Sequence, residues 1–116
     1  MTIEISVASH IGKYRKKQED AFLVECDPVK GEHLLVVADD MGGGPSKYFQ
    51  VWSGEVTLNE DATYLLVTDG VDYMKKEDLL YCKNAQEVID KVLEGPAYDN
   101  ITCIMIDVKD CAQKLV

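Results

Sequence analysis

The stretch DAFLVECDPVKGEHLLVVAD, residues 20–39, decides the fold of this chain. It contains two short apolar runs on either side of a turn with proline and glycine, which is typical of an antiparallel hairpin. Residues that face each other across such a pair have a constant index sum. If Ala21 lies opposite Ala38, then Asp20 lies opposite Asp39, and two carboxylates meet at the open end of the hairpin.

A second pair of strands is predicted near the end of the chain. The run 64–68 is followed by Asp69, and the run 101–108 comes shortly after Asp99. If these strands are antiparallel neighbours, Asp69 and Asp99 also meet. Placing both hairpin ends on the same edge, as an assumption, brings all four aspartates into one group.

Four ionised carboxylates in one place oppose folding. Two unit charges about 5 Å apart repel by on the order of 3 kcal/mol at an effective dielectric constant of about 20. A cation is therefore expected among them, and a set of oxygen ligands favours Mg²⁺ or Mn²⁺ over zinc. The alternative is that each aspartate is an ordinary turn or strand-end residue, which aspartate often is.

The remaining patterns predict a single α+β domain over residues 1–116. One helix is expected to begin after Asn84 as its N-cap, with Glu87 three residues on, and to stop at Gly95-Pro96. The other predicted elements are strands at 3–8, 21–26, 34–38, 47–52, 54–58, 64–68 and 101–108, a glycine loop at 42–46, a short helix at 75–82 and a polar tail at 109–116.

Four blocks of the sequence resemble, in the right order, the motifs of the metal-dependent serine/threonine protein phosphatases of type 2C. Each block alone is a weak match, and the four together are specific. The resemblance implies the fold of that family, an antiparallel β-sandwich with flanking helices in the order α-β-β-α. One helical layer is expected to be largely missing, because the segment 40–68 is much shorter than its counterpart in the family. The blocks are Ser9-His10-Ile11-Gly12 with Arg15 to Asp20, Val36 to Gly43, Val67-Thr68-Asp69-Gly70, and Asp99-Asn100-Ile101-Thr102.

The resemblance also implies a role for each site residue. Arg15 would hold the substrate phosphate through its guanidinium fork; the alternative is a solvated basic run with the neighbouring lysines. Two Mg²⁺ or Mn²⁺ ions are expected, with Asp39 bridging them and Asp40, which stands where the family has glycine, offering its backbone carbonyl. The remaining roles are metal binding by Asp69 and Asp99, action on metal-bound water by Glu19 and Asp20, and support of the site by Gly70 and Asn100.

The reaction that the resemblance implies is direct hydrolysis of phosphoserine or phosphothreonine in a phosphoprotein, or of a small phosphomonoester, by water activated between two metal ions. A side-chain nucleophile is not required, and the sequence contains neither a Cys-x5-Arg loop nor a Ser/His/Asp arrangement around His10 or His33. Tyr73 stands where the family usually has an aspartate, which counts against a third ion. The second hypothesis is a weakly active or inactive relative that serves as a binding or regulatory module, and the short middle segment, Asp40 and Tyr73 favour it.

The short middle segment has a structural consequence. Strands such as 34–38 and 101–106 are apolar on both faces, so each sheet is expected to be covered on both sides. The helices predicted within 75–94 cover only part of that area, and burial contributes about 25 cal/mol per Å². We therefore expect a homodimer, or docking on a partner, through the uncovered apolar sheet face.

The composition is that of a small acidic domain. The chain has 116 residues, 47% of them hydrophobic, and a formal net charge of −9, which disfavours nucleic acid and anionic membranes as partners. The sequence shows neither a signal-peptide pattern nor an apolar run of about 18 residues, so a cytoplasmic location is expected. The four cysteines show no Cys-x-x-Cys spacing and are expected to be reduced thiols.

Overall fold

The computed structural model describes residues 2–27, 29–40, 49–50, 57–59, 61–71 and 74–109. They form a small α+β domain with two antiparallel sheets and two helices. The strands are β1 (Thr2–His10), β2 (Asp20–Asp27), β3 (Glu32–Asp40), β4 (Phe49–Gln50), β5 (Thr63–Val67) and β6 (Ile101–Lys109); a 3-10 turn at Asp69–Val71 follows β5, and the helices are α1 (Lys76–Leu80) and α2 (Ala85–Leu93).

The first sheet has the strand order β1-β6-β5, with β6 in the centre. Its pairs are antiparallel, and Ile106 of β6 lies opposite both Ile5 of β1 and Tyr64 of β5. Residues 101–106 are all buried, as expected for an apolar strand with a neighbour on each edge and cover on each face. The antiparallel pairing that the sequence predicts for β5 and β6 is confirmed.

Helix α2 covers one face of this sheet. It begins at the predicted N-cap, where the Asn84 side chain accepts a hydrogen bond from the backbone N–H of Glu87 at 2.9 Å. The Glu87 carboxylate accepts from the N–H of Lys83 at 2.8 Å, one residue before the position that a capping box uses. The apolar face of the helix packs on alternate residues of β6 and forms the core, which includes Ala85, Val88, Ile89 and Val92 with Ile101, Cys103 and Met105.

The second sheet has the strand order β2-β3-β4 and contacts β6 through β2 and β3. Ala21 lies opposite Ala38 and Asp20 lies opposite Asp39, so the predicted hairpin register is confirmed. The Asp20 carboxylate is hydrogen-bonded to Thr102 of β6. Because side chains alternate along a strand, Asp20 and Asp39 point toward the first sheet, while Ala21 and Ala38 point away from it.

The outer face of β2 and β3 is apolar and open to solvent. Leu23 and Leu34 are 42% and 52% exposed on this face. Among the described side chains of the two strands, none is fully buried. The homodimer hypothesis refers to this sheet face, and association through it stays a prediction.

Several predicted boundaries differ from the structure, and three of the differences concern the short helix, the end of β6 and the strand predicted at 54–58. The short helix covers only Lys76–Leu80, because its last turn closes with a bond from the N–H of Cys82 to the carbonyl of Leu79 at 3.1 Å. Lys109 belongs to β6 rather than to a tail, because it pairs with the first residue of β1. The predicted strand 54–58 is wrong at its end, where residues 57–59 have no regular structure.

Other predicted features lie outside the described residues. They are the glycine loop at 42–46, most of the strand at 47–52, Tyr73, Cys111 and the tail beyond residue 109. The cysteines that the structure describes, Cys26, Cys82 and Cys103, are free thiols, as predicted. Within the described part of the chain, no helix is both long enough and apolar enough to cross a membrane.

Candidate metal centre

Three aspartates meet at one edge of the two sheets. Asp39 lies near the end of β3, Asp69 opens the 3-10 turn after β5, and Asp99 lies just before β6. One carboxylate oxygen of each lies within 4.8 Å of the others. Three segments that are far apart in the sequence therefore place their oxygen atoms in one group, which is the arrangement that a hard cation requires.

The strand pairing explains this convergence. A bond from the N–H of Thr68 to the carbonyl of Thr102 at 3.0 Å continues the ladder between β5 and β6. Asp69, just after β5, and Asp99, just before β6, therefore lie at the same edge of the first sheet. Asp20 of the neighbouring hairpin is hydrogen-bonded to the same two threonines. The assumption that both hairpin ends share one edge is confirmed.

Asp20 is held by two buried hydroxyl groups. Its Oδ2 atom accepts hydrogen bonds from Thr68 and Thr102, each at 2.9 Å. Its Oδ1 atom is buried and has no hydrogen-bond partner among the described residues. Burial raises the pKa of this carboxyl, the two hydroxyl bonds lower it, and the charges of Asp99 and Asp69 raise it. A buried oxygen without a partner is costly, so Oδ1 is suited to bind a water molecule or a ligand.

A network of side chains supports Asp20, and the sequence analysis did not identify it. The Ser9 Oγ atom lies 2.9 Å from Thr102 Oγ1 and accepts a hydrogen bond from Gln18 Nε2 at 3.1 Å. Gln18 also accepts a bond from the backbone N–H of Asp20 at 3.0 Å. The sequence does contain a signal for this network. Thr68 and Thr102 are polar residues in otherwise apolar runs, and a hydroxyl group that is buried there needs a hydrogen-bond partner.

The crowding of negative charge is most evident at Asp39. Burial, a hydrogen bond with Asp69 and the charges of Asp69, Asp20 and Asp99 together raise the pKa of Asp39 to about 8. An aspartate with an ordinary pKa is ionised at neutral pH. The Asp39 carboxyl is therefore harder to ionise than an ordinary aspartate, and a divalent cation that compensated the neighbouring charges would lower its pKa again.

Arg15 lies at the rim of this group. Its Nε atom is 3.4 Å from Asp99 Oδ1, and its side chain is 50% exposed. Lys16 and Lys17 are exposed, whereas the Nζ atom of Lys13 donates to the carbonyl of Gly95 at 2.7 Å. The basic side chains of residues 13–17 are all exposed, so the interpretation as a solvated basic run stays open, and Arg15 in addition contacts Asp99.

Asn100 fixes the loop that carries Arg15 and Glu19. Asn100 is 4% exposed, and its Oδ1 atom accepts a hydrogen bond from the N–H of Glu19 at 2.8 Å. Its Nδ2 atom donates to the carbonyls of Ile11 at 2.8 Å and Lys17 at 3.0 Å. One buried amide thus ties three points of the loop after β1 to the beginning of β6.

Two glycines allow these segments to approach closely. A Cβ atom on Gly70 would lie 2.2 Å from the carbonyl oxygen of Asn100, and one on Gly12 would lie 2.4 Å from that of Asp99. Gly12 also has a φ angle of +89°, which favours glycine. A larger residue at either position would push the segment with Asp99 and Asn100 away from the site.

The remaining candidates take other positions. Glu19 is bound to Asn100 through its backbone, and its side chain is partly buried. Asp40 ends β3 opposite Phe49, and its side chain lies outside what the structure describes. The Nδ1 atom of His10 accepts a bond from the N–H of Gly12 at 2.9 Å. His10 therefore has a local structural partner.

The donor set is suited to a hard divalent cation. It consists of carboxylate oxygens, it carries excess negative charge, and Asp20, whose Oδ1 atom has no partner among the described residues, is close enough for its charge to raise the pKa of Asp39. No protein-family model matches this chain, and comparison with curated proteins and with solved structures gives no match.

Proposed function

We propose that the protein is an Mg²⁺- or Mn²⁺-dependent phosphatase related to the type 2C family, acting on phosphoserine, phosphothreonine or small phosphomonoesters. The observation that carries the proposal is the group of Asp39, Asp69 and Asp99, with Arg15 3.4 Å from the last of them. Carboxylates beside an arginine can hold cations and a phosphate at the same time.

The order of layers supports the relationship. Helix α2 packs on the sheet β1-β6-β5, which contacts the sheet β2-β3-β4. These correspond to three layers of an α-β-β-α sandwich. The fourth layer would cover the face with Leu23 and Leu34, which the described residues leave exposed. The protein would then be a shortened relative that keeps the layers around the site.

The acidic residues would have distinct tasks. Asp39, Asp69 and Asp99 would hold the two expected ions, with the backbone carbonyl of Asp40 as a further ligand. When bound, Mg²⁺ or Mn²⁺ supplies the positive charge that lowers the pKa of water and makes it a nucleophile toward phosphorus. Asp20 would orient the attacking water by accepting a hydrogen bond at Oδ1, its atom without a partner.

Arg15 would bind the phosphate of the substrate. A guanidinium group forms paired hydrogen bonds with phosphate oxygens, a geometry that lysine cannot reproduce. Without a substrate, Arg15 contacts Asp99. A cation bound to Asp99 would weaken the attraction of this carboxylate for Arg15, and the guanidinium would then be available for the phosphate.

Hydrolysis of p-nitrophenyl phosphate in the presence of Mn²⁺ tests this proposal. Asp39→Asn keeps the size of the side chain and removes its charge, so we expect the rate to fall by about 100-fold or more. Asp90→Asn is the matched control, because Asp90 lies on the exposed side of α2 and the Asn oxygen can still accept the bond from Gln86. The control should keep the wild-type rate.

Equal rates for the wild type and Asp39→Asn would remove the catalytic proposal. A calorimetric titration with Mn²⁺ would then decide what remains of the site. Binding of Mn²⁺ without turnover, lost in Asp39→Asn, would favour the second hypothesis of a non-catalytic binding or regulatory module.

A further inference from the structure

Two exposed tyrosine rings lie side by side next to the candidate site. Tyr14 and Tyr98 are stacked, with ring centroids 5.0 Å apart and an angle of 30° between their planes. Tyr14 is 66% exposed and Tyr98 is 62% exposed, so much of each residue faces solvent in spite of the stacking. Exposed tyrosines combine a large apolar surface with a polar group, and they are enriched where proteins bind other molecules.

Each tyrosine directly precedes a residue of the candidate site. Tyr14 precedes Arg15, Tyr98 precedes Asp99, and the side chains of Arg15 and Asp99 contact each other at 3.4 Å. Consecutive Cα atoms are about 3.8 Å apart. The two tyrosines are therefore carried by the same two segments that bring Arg15 to Asp99, one residue away from each.

The segments that carry the two rings are held together by backbone contacts. The N–H of Lys13 donates to the carbonyl of Ala97 at 2.9 Å, and the Nζ atom of Lys13 donates to the carbonyl of Gly95 at 2.7 Å. A Cβ atom on Gly12 would lie 2.9 Å from the same Ala97 carbonyl, which shows how closely the segments pack. These hydrogen bonds join the two segments without the stacked rings. The rings are therefore carried by a fixed backbone and do not have to hold the segments together.

We propose that Tyr14 and Tyr98 form an aromatic recognition surface, which binds an aromatic side chain next to the phosphorylated residue of a phosphopeptide. This rests on the proposed phosphatase function. With the phosphate at Arg15, the neighbouring residue of an extended peptide lies one Cα spacing from the phosphorylated residue, and the two tyrosines each stand one residue from Arg15 or Asp99 in the chain. A further ring extends the stack in the offset or edge-to-face geometry that aromatic pairs prefer.

The test uses two phosphopeptides that differ only in the residues beside the phosphoserine, which are Phe in one peptide and Ala in the other. The phosphoserine is replaced by its non-hydrolysable phosphonate analogue, and binding to the Mg²⁺-loaded protein is measured by fluorescence anisotropy. We expect the wild type to bind the Phe peptide roughly three- to tenfold more tightly than the Ala peptide. This ratio should fall to about one in Tyr14→Ala and Tyr98→Ala, and it should persist in Tyr14→Phe, which keeps the ring.

Tyr81→Ala is the matched control. Tyr81 is 84% exposed and lies at the C-cap of α1, so its removal should leave the ratio unchanged. If Tyr14→Ala weakens the binding of both peptides equally, the ring pair has only a structural role and the proposal is overturned. It is also overturned if the wild type binds the two peptides equally or binds neither.

Failure of the phosphatase proposal would give a different result. If p-nitrophenyl phosphate is not hydrolysed while the preference for the Phe peptide is present and depends on Tyr14, the recognition surface is supported and catalysis is rejected. If hydrolysis depends on Asp39 while the two peptides bind equally, the phosphatase proposal stands and the recognition surface is rejected.

Discussion

The two sheets of this protein have similar apolar strands and very different surroundings. Residues 101–106 of β6 are all buried, between α2 on one face and the second sheet on the other. The apolar run 34–38 of β3 has no fully buried residue. An apolar strand becomes part of a core only when another layer covers it. We therefore expect the first sheet to provide stability, while the second contributes Asp20 and Asp39 to the candidate site.

The largest effect is expected when a substitution in the covered sheet layer is compared with one on the exposed sheet face. Ile89 of α2 is 0% exposed, and Ile89→Ala should lower the free energy of unfolding by about 2–5 kcal/mol because it leaves a cavity in the core. Leu34→Ala removes a similar volume from the exposed face and should cost less than about 1 kcal/mol. Urea denaturation of both variants measures the difference. Equal losses would mean that the second sheet contributes to the core as much as the first.

A smaller effect is expected where the two sheets meet at Asp20. Thr102→Val keeps the shape of a fully buried side chain and removes one hydroxyl bond to the Asp20 carboxylate. We expect a loss of about 1–3 kcal/mol, because the buried Asp20 carboxylate keeps only its bond from Thr68 and the Ser9 hydroxyl loses Thr102 as a partner. Thr63→Val is the matched control, since its hydroxyl donates to Asp107 at an exposed position, and it should change stability by less than about 0.5 kcal/mol. Equal effects in the two variants would contradict the importance of the buried hydroxyl.

The pH dependence of the metal-free protein tests the crowding of carboxylates where the second sheet meets the first. The pKa of Asp39 is about 8 in the folded state and near 3.8 in its ordinary environment. The folded protein keeps a proton that the unfolded chain releases, so this contribution to stability is complete below about pH 3.8 and is lost as the pH rises toward 8. Melting temperatures measured with EDTA should therefore fall between pH 5 and pH 8, and Mg²⁺ should restore the loss at pH 8.

Asp39→Asn is the informative variant for this measurement. Without a group that titrates at residue 39, the fall in melting temperature between pH 5 and pH 8 should become smaller. An unchanged pH dependence in Asp39→Asn would show that crowding at this carboxyl does not limit the stability of the metal-free protein.

Local patterns predicted some elements well and others poorly. The N-cap at Asn84 and the hairpin register at Ala21 and Ala38 are present as predicted, because a cap and a turn act over a few neighbouring residues. The errors occur where a distant partner changes an element. Lys109 is part of β6 because Thr2 lies opposite it. Residues 57–59 are not a strand, and the N–H of Asn59 donates to the side chain of Tyr64.

The candidate site was predictable in parts. Strand direction alone pairs Asp20 with Asp39 and brings Asp69 and Asp99 to one end of a sheet. The connection between the two pairs required an assumption, because no local pattern states how one hairpin packs on another. The hydroxyl network around Asp20, with Thr68 and Thr102, was missed since its members are ordinary strand residues until packing buries them.

The sequence by itself determined most of the strands that the structure describes, the hairpin register, the helix cap and the presence of aspartates at strand ends, because alternation and turn residues act locally. Only the tertiary structure decided that Asp69 and Asp99 join Asp39, that Arg15 contacts Asp99 and that Tyr14 stacks on Tyr98. These residues come from segments far apart in the chain. Their distances are set by the packing of whole sheets and loops on one another, which no short stretch of sequence encodes.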